Sequence, residues 1–305
     1  MIQETMSSSG WRWDHLSAAV ASPNAAATFF SSGALVEAYR VTFYTSAGVI
    51  ILFAGLAALC RRYNIASYAS RDAEGKLIFV SHMAFFLLFL GTAVPYSIGV
   101  VKILFAPDAP AALLQPAYYR CLLFPIAFQL AMYVFEGAFR AVLRINCFLL
   151  VHHLMFCTII VLAFQAESIF IVKVGMITSC FATYEFPLYA ALIARRTQLL
   201  KRCFAFLIIS GLSFYLLTRI VQVVLLVGLF TLSYIPMRDT QRNIALYWVS
   251  LVLCVFLVVL QLYTFVIYGR MWTRTSKSYK QQLLLPTHAD NSTAVATNSA
   301  SSNIL

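Results

Sequence analysis

Charge is scarce in this chain. Only 11% of its 305 residues are charged, against about 25% in a soluble domain, which excludes an ordinary soluble globular fold. Acidic residues number eleven, and only Glu136 and Glu185 fall inside apolar runs. Alternation of polar and apolar residues is also missing, which excludes a membrane β-barrel. No CxxC pair occurs. The seven cysteines lie in or at the edges of apolar runs and read as small packing residues rather than a disulfide or metal framework. Residues 1–30 lack a basic start followed by an apolar core, so no cleavable signal peptide is expected and the first span serves as its own insertion signal. No basic run is interleaved with aromatics. The net charge of +11 is therefore not a nucleic-acid signal.

What is present is hydrocarbon: 61% of the residues are hydrophobic. Apolar runs at about 41–60, 77–104, 118–139, 143–164, 168–193, 204–235 and 244–270 meet or exceed the roughly 20 residues a helical span needs. Lipid cannot satisfy backbone polar groups, so the spans must be helices. The expected fold is all-α, a multispanning membrane bundle of about seven helices, with kinks at Pro95, Pro125 and Pro187. Residues 1–40 read as a polar N-terminal segment, 41–60 as the first transmembrane helix, 75–272 as a six-helix membrane domain, and 273–305, rich in Ser, Thr, Ala and Asn, as a disordered tail. Gly48, Gly55, Gly91 and Gly99 are expected where helices approach closely.

The basic residues set the orientation. Fourteen of the 22 fall on one side, among them Arg61, Arg62, Arg71, Lys76, Arg140, Arg144, Arg195 and Arg196. Six fall on the other, and Lys173 and Arg219 lie within spans. The positive-inside rule then predicts a lumenal N-terminus and a cytosolic C-terminus. The one Asn-x-Ser/Thr sequon, at Asn291, lies on the cytosolic side.

Ionisable side chains in hydrocarbon are costly and mark functional sites. His82, Glu136, His152, His153 and Glu185 are such residues. The His152–His153 pair lies about 14 Å in from the cytosolic end of the fourth span, and Glu185 about 12 Å in from that of the fifth, at 1.5 Å per residue. A contact between His153 and Glu185 is expected across these antiparallel neighbours. Adjacent helical residues point about 100° apart, so the two histidines do not form a metal site of the i, i+4 kind, and no metal is expected. Histidine is the natural general base or acyl carrier near neutral pH, which makes His153, His152 and Glu185 the candidates for chemistry. A structural network across helices is the competing reading. Gln129, Gln222 and Gln261 read as helix-bridging residues rather than ligand contacts.

Taken in order, these residues resemble the TLC-domain family, which includes ceramide synthases and translocating-chain-associating membrane proteins. Val80-Ser81-His82 resembles its opening Ser/His element, and Tyr133-Val134-Phe135-Glu136 its Tyr-x-x-Asp element with Glu in place of Asp. Val151-His152-His153 is similar to its paired histidines. Glu185-Phe186-Pro187 with Arg195-Arg196 resembles its Glu…Pro…Arg element, and Arg219 falls where the family often has an arginine in the penultimate helix. The resemblance covers about residues 75–272. The helix after the paired histidines lacks the His-Asp-x-x-Asp element of the synthases, so the likeness is closer to the non-synthase branch.

The resemblance implies a protein of membrane-lipid homeostasis in the endoplasmic reticulum, with membrane lipids or fatty-acyl chains as partners. It implies lipid-binding roles for His82, Tyr133, Glu136 and Arg219. No cofactor is implied. Acyl-CoA is the substrate if the protein is instead an N-acyltransferase of ceramide-synthase type. A seven-helix receptor and a transporter are further alternatives, and the oligomeric state, homo-oligomer included, stays open.

Overall fold

The computed structural model describes residues 32–105, 116–142, 147–165, 168–197, 201–238 and 241–284. Among them the chain forms helices and short turns only. The helices are α1 (Ser32–Arg62), α2 (Ala66–Ala69), α3 (Ala73–Phe105), α4 (Pro116–Val142), α5 (Cys147–Gln165), α6 (Ile169–Thr183), α7 (Phe186–Arg196), α8 (Lys201–Arg238) and α9 (Gln241–Leu284). Five stretches are long and apolar enough to cross a membrane: Arg40–Arg62, Ala73–Val101, Ile169–Arg196, Phe206–Arg238 and Asn243–Thr273. A shorter apolar helix covers Leu150–Leu162. This apolar helical architecture is compatible with a multipass membrane protein.

Local chemistry sets the helix ends. α1 stops at Asn64, which takes a positive φ of 44°, a conformation asparagine tolerates better than other residues with a Cβ. The Ile65 amide then donates to the Cys60 carbonyl at 3.1 Å, closing the helix end as a Schellman motif does. α3 opens with Asp72, whose Oδ1 accepts from the Gly75 amide at 2.8 Å, an N-cap bond. The residue capped has no Cβ, and one built there would lie only 2.8 Å from that same carboxylate oxygen.

The fifth expected span is two helices. α6 ends at Thr183 and α7 begins at Phe186, with Tyr184 and Glu185 in a turn between them. Pro187 stands in the first turn of α7. It has no N–H to give the Thr183 carbonyl, so a continuous helix would lose a bond there and clash. The expected proline kink is therefore a break, and it leaves Glu185 as the cap residue of α7. Pro95 and Pro125 lie inside α3 and α4.

Packing centres on α6. Every residue from Ile169 to Cys180 is buried, and α3, α4, α5 and α8 all pack against this helix. α7 packs on α3 and α8, and α1 packs on α3 and α4. Gln129 of α4 ties to α6 as expected, donating from Nε2 to the Ser179 carbonyl at 3.0 Å while accepting from Ser179 Oγ at 2.6 Å. Ser97 of α3 bonds the Tyr184 hydroxyl at 2.6 Å.

The glycine expectation needs correction. A Cβ at Gly48, Gly55 or Gly91 would meet nothing within 4 Å, so these positions do not mark close helix approach. The close approach is at Gly211 of α8, where a Cβ would lie 3.3 Å from the carbonyl carbon and oxygen of Pro187. The missing side chain lets α8 come up against the α6–α7 break.

The described residues up to Phe265 belong to one compact unit, and those from Val266 onward to a second. The described part of the second is the C-terminal end of α9, which stays helical to Leu284, past residue 273 where the sequence suggests a disordered tail. The N-terminal residues 1–31 and the sequon at Asn291 lie outside the described residues.

Candidate functional site

Two pairs of ionisable side chains lie between the helices, the first buried and the second mostly so. On α4 and α5, His153 Nε2 stands 3.6 Å from Glu136 Oε2. On the α6–α7 turn and α8, the Arg219 guanidinium donates from Nη2 to the Glu185 carboxylate. The expected partnership of His153 with Glu185 is thus replaced: Glu136 of α4 stands opposite His153, and Glu185 is taken by Arg219. The break at Glu185 supplies the physical reason. It ends α6 at Thr183 and places this carboxylate against Arg219 of α8, which Gly211 lets approach.

Tyr133 joins the two pairs. It lies one turn before Glu136 on α4, so both project from the same face. Its ring stacks on His153 with centroids 4.4 Å apart and planes 21° apart. It is also near enough to feel the charges of Glu185, Arg219 and Glu136. His152 is buried beside His153, ring centroids 5.8 Å apart, and lies within electrostatic reach of Arg219. His82 is linked to the cluster through aromatic rings. It contacts the Tyr189 ring at 5.8 Å, Tyr189 stacks on Phe85 at 5.0 Å, and Phe85 reaches Tyr133 at 5.6 Å, so an aromatic row connects His82 to the cluster.

Arg219 is held from three directions. Besides Glu185, its Nη1 donates to Gln222 Oε1 at 2.6 Å, and its guanidinium carbon lies 4.6 Å from the centroid of the Tyr215 ring, a cation–π contact. The Tyr215 hydroxyl donates to the Gln261 carbonyl of α9 at 3.3 Å. Tyr215 is a neighbour that sequence reasoning passed over, and Gln222 one that it read only as a helix bridge. Their spacing of four residues before and three after Arg219 was the available signal, since these positions share a helix face. Gln222 bonds within its own helix, not across helices as expected.

The cluster is not hydrogen-bonded to completion. Arg219 Nε, Gln222 Nε2 and His152 Nδ1 are buried with no hydrogen-bond partner. Most buried polar atoms in proteins are paired, and a donor left unpaired costs about 1–3 kcal/mol. Among the described residues no group of three or more His, Cys, Asp or Glu side chains is arranged to hold a metal ion. Cys60, Cys180 and Cys254 are buried free thiols.

The basic end of the bundle is also visible. Arg71 Nη2 donates to the Arg196 carbonyl and Arg196 Nη1 to the Gly75 carbonyl, each at 3.5 Å. The start of α3 and the end of α7 therefore lie together.

Comparison of the chain with protein-family models, with curated proteins and with solved structures yields no match.

Proposed function

We propose that this chain is a multipass membrane protein of lipid homeostasis that holds a lipid or fatty-acyl group at the cluster of Tyr133, Glu136, His153, Glu185 and Arg219. The observation that carries this reading is a set of ionisable side chains buried among membrane-length helices, with hydrogen-bonding atoms of Arg219 and Gln222 left over. Buried ionisable groups within membrane spans mark ligand or ion sites, and the apolar helices around them suit an acyl tail. Seven crossings follow if α4 and α5 are added to the five long stretches, since helices of 27 and 19 residues extend about 40 and 28 Å at 1.5 Å per residue. In this reading the bundle is TLC-like, the membrane is that of the endoplasmic reticulum, the N-terminus is lumenal and the C-terminus cytosolic.

The test is lipid profiling of a deletion strain complemented with wild type, His153→Ala or Glu185→Gln. Wild type restores the profile and both variants fail to. Unchanged profiles on deletion would remove lipid handling, and full rescue by both variants would remove the cluster from it.

A second reading, acyl transfer, is favoured by the pairing of His153 with Glu136. His153 would take the proton of an attacking amine as the acyl group passes from the thioester sulfur of acyl-CoA to nitrogen, and CoA would leave as its thiol. Glu136, rather than Glu185, would orient the imidazole. Purified protein that neither transfers nor hydrolyses acyl-CoA counts against it.

A further inference from the structure

α9 is longer than a membrane is thick. Its apolar stretch, Asn243–Thr273, has 31 residues, about 46 Å at 1.5 Å per residue, which matches the roughly 40–45 Å of a whole bilayer with its headgroups. Thr273 then falls at the outer edge of the headgroup layer. The helix runs on from there to Leu284, about 16 Å further.

This extension carries its charge on one side. Residues 270–284 hold Arg270, Arg274, Lys277 and Lys280 and no Asp or Glu. At about 100° per residue, the four basic positions fall within an arc of about 120° around the helix. Positions 272, 279 and 283, which are Trp, Tyr and Leu, fall within about 40° of one another on the opposite side. Arg270 and Thr273, on the basic side, are exposed, and Trp272 is half-buried. Basic residues that only fix topology need neither a helix nor a common side. A stripe of them needs a partner that runs along it.

The charge and position of the stripe identify that partner. Four cations with no acid among them suit an anionic surface. Arg270 lies at the level of the headgroups, and the other three follow within about 11 Å of their outer edge, little more than the Debye length of about 8 Å. The membrane is always at this level, because the same helix crosses it. On the cytosolic orientation of the C-terminus, the adjacent leaflet is the one rich in anionic lipid. A tilt of about 20°, usual for spans, brings the stripe toward the headgroups when taken to its basic side.

We propose that the basic stripe of α9, from Arg270 to Lys280, docks on anionic lipid headgroups of the adjacent leaflet. This rests on the membrane reading above but not on the buried cluster.

The experiment is amide hydrogen exchange of the full-length protein in nanodiscs of phosphatidylcholine, alone or mixed with phosphatidylserine. Exchange over residues 274–284 reports local opening of the helix end. Phosphatidylserine is expected to slow it in the wild type at least about fivefold, the factor that about 1 kcal/mol for one Lys or Arg at the surface corresponds to. The triple variant Arg274→Gln, Lys277→Gln and Lys280→Gln keeps helix propensity and is expected to lose most of the slowing. An anionic surface also slows exchange by gathering protons, and this variant carries that part alone. A second variant, Arg274→Ser with Ser276→Arg and Lys277→Tyr with Tyr279→Lys, keeps composition and charge but scatters the stripe, and is expected to fall well below wild type. Exchange across residues 243–265 identifies variants that stay folded. Unchanged exchange in the wild type overturns the proposal by itself and leaves the stripe to a soluble acidic partner. Equal slowing in the wild type and the Gln variant overturns it as surface acidity alone. Equal slowing in the scattered variant overturns the stripe, because charge count would then suffice. Each of these failures leaves the buried-cluster reading standing, whereas a chain that does not enter nanodiscs overturns the membrane reading as well.

Discussion

The imidazole of His153 lies over the phenol ring of Tyr133, centroids 4.4 Å apart and planes 21° from parallel. One residue from each of two neighbouring helices thus forms a single aromatic step, and Phe156 closes on the same phenol ring edge-on at 4.8 Å.

This stacking predicts a split between two substitutions. Tyr133→Leu removes the ring contacts and is expected to lower stability by about 2–4 kcal/mol, combining lost packing with lost aromatic pairs. Tyr133→Phe keeps both rings in place and is expected to cost much less. Thermal unfolding in detergent measures the difference. Equal losses in the two variants would show that the hydroxyl, not the stack, matters.

Breaking the Arg219–Glu185 pair leaves one buried charge without its counterpart. Glu185→Ala or Arg219→Ala alone is expected to destabilise by about 3–5 kcal/mol. The double variant Glu185→Ala with Arg219→Ala is expected to lose less than the sum of the singles, because no buried charge remains. The double-mutant cycle these three variants form on chemical unfolding gives the coupling, and additive losses would contradict a direct pair.

Gly211→Ala places a methyl 3.3 Å from the Pro187 carbonyl, tighter than relaxed contact. Backbone cannot swing aside as a side-chain end can, so a loss of about 1–3 kcal/mol is expected. Gly55→Ala and Gly91→Ala meet open space. There the better helix propensity of alanine should make them neutral or stabilising by up to about 1 kcal/mol. Ranking the three melting temperatures checks the assignment of the close approach.

Arg71 and Arg196 place the start of α3 and the end of α7 at one end of the bundle. Single cysteines at Asp72 and Thr197 should therefore label from the same side with a membrane-impermeant maleimide. On the cytosolic orientation they react only from the cytosolic face, and Asn291 remains unglycosylated. Labelling of the two positions from opposite sides would break the packing of α3 against α7.

The helical class was legible because continuous apolar runs in lipid leave the backbone one way to satisfy itself. The clustering of Arg71 with Arg196 was legible for a similar reason, since charge avoids hydrocarbon and collects at span ends. The ionisable residues His82, Glu136, His152, His153, Glu185 and Arg219 stood out because each is expensive where it lies. All six are confined within helices or at a helix break, and the last five gather in one cluster.

Their partnerships were not legible. Depth along a span placed His153 and Glu185 at similar levels, but depth says nothing about rotation. Pro187 ends α6 and redirects Glu185, and Gly211 brings α8 to meet it, so Arg219 wins the carboxylate and His153 faces Glu136. The glycines erred for the same reason: a missing side chain permits approach, but only a neighbouring helix makes use of it. Composition and hydropathy, which depend on residues one at a time, determined a helical chain with stretches long and apolar enough to cross a membrane, and which residues carry its polar chemistry. The pairing of those residues depends on helix rotation and on contacts between segments distant in sequence, and the tertiary structure alone decided it.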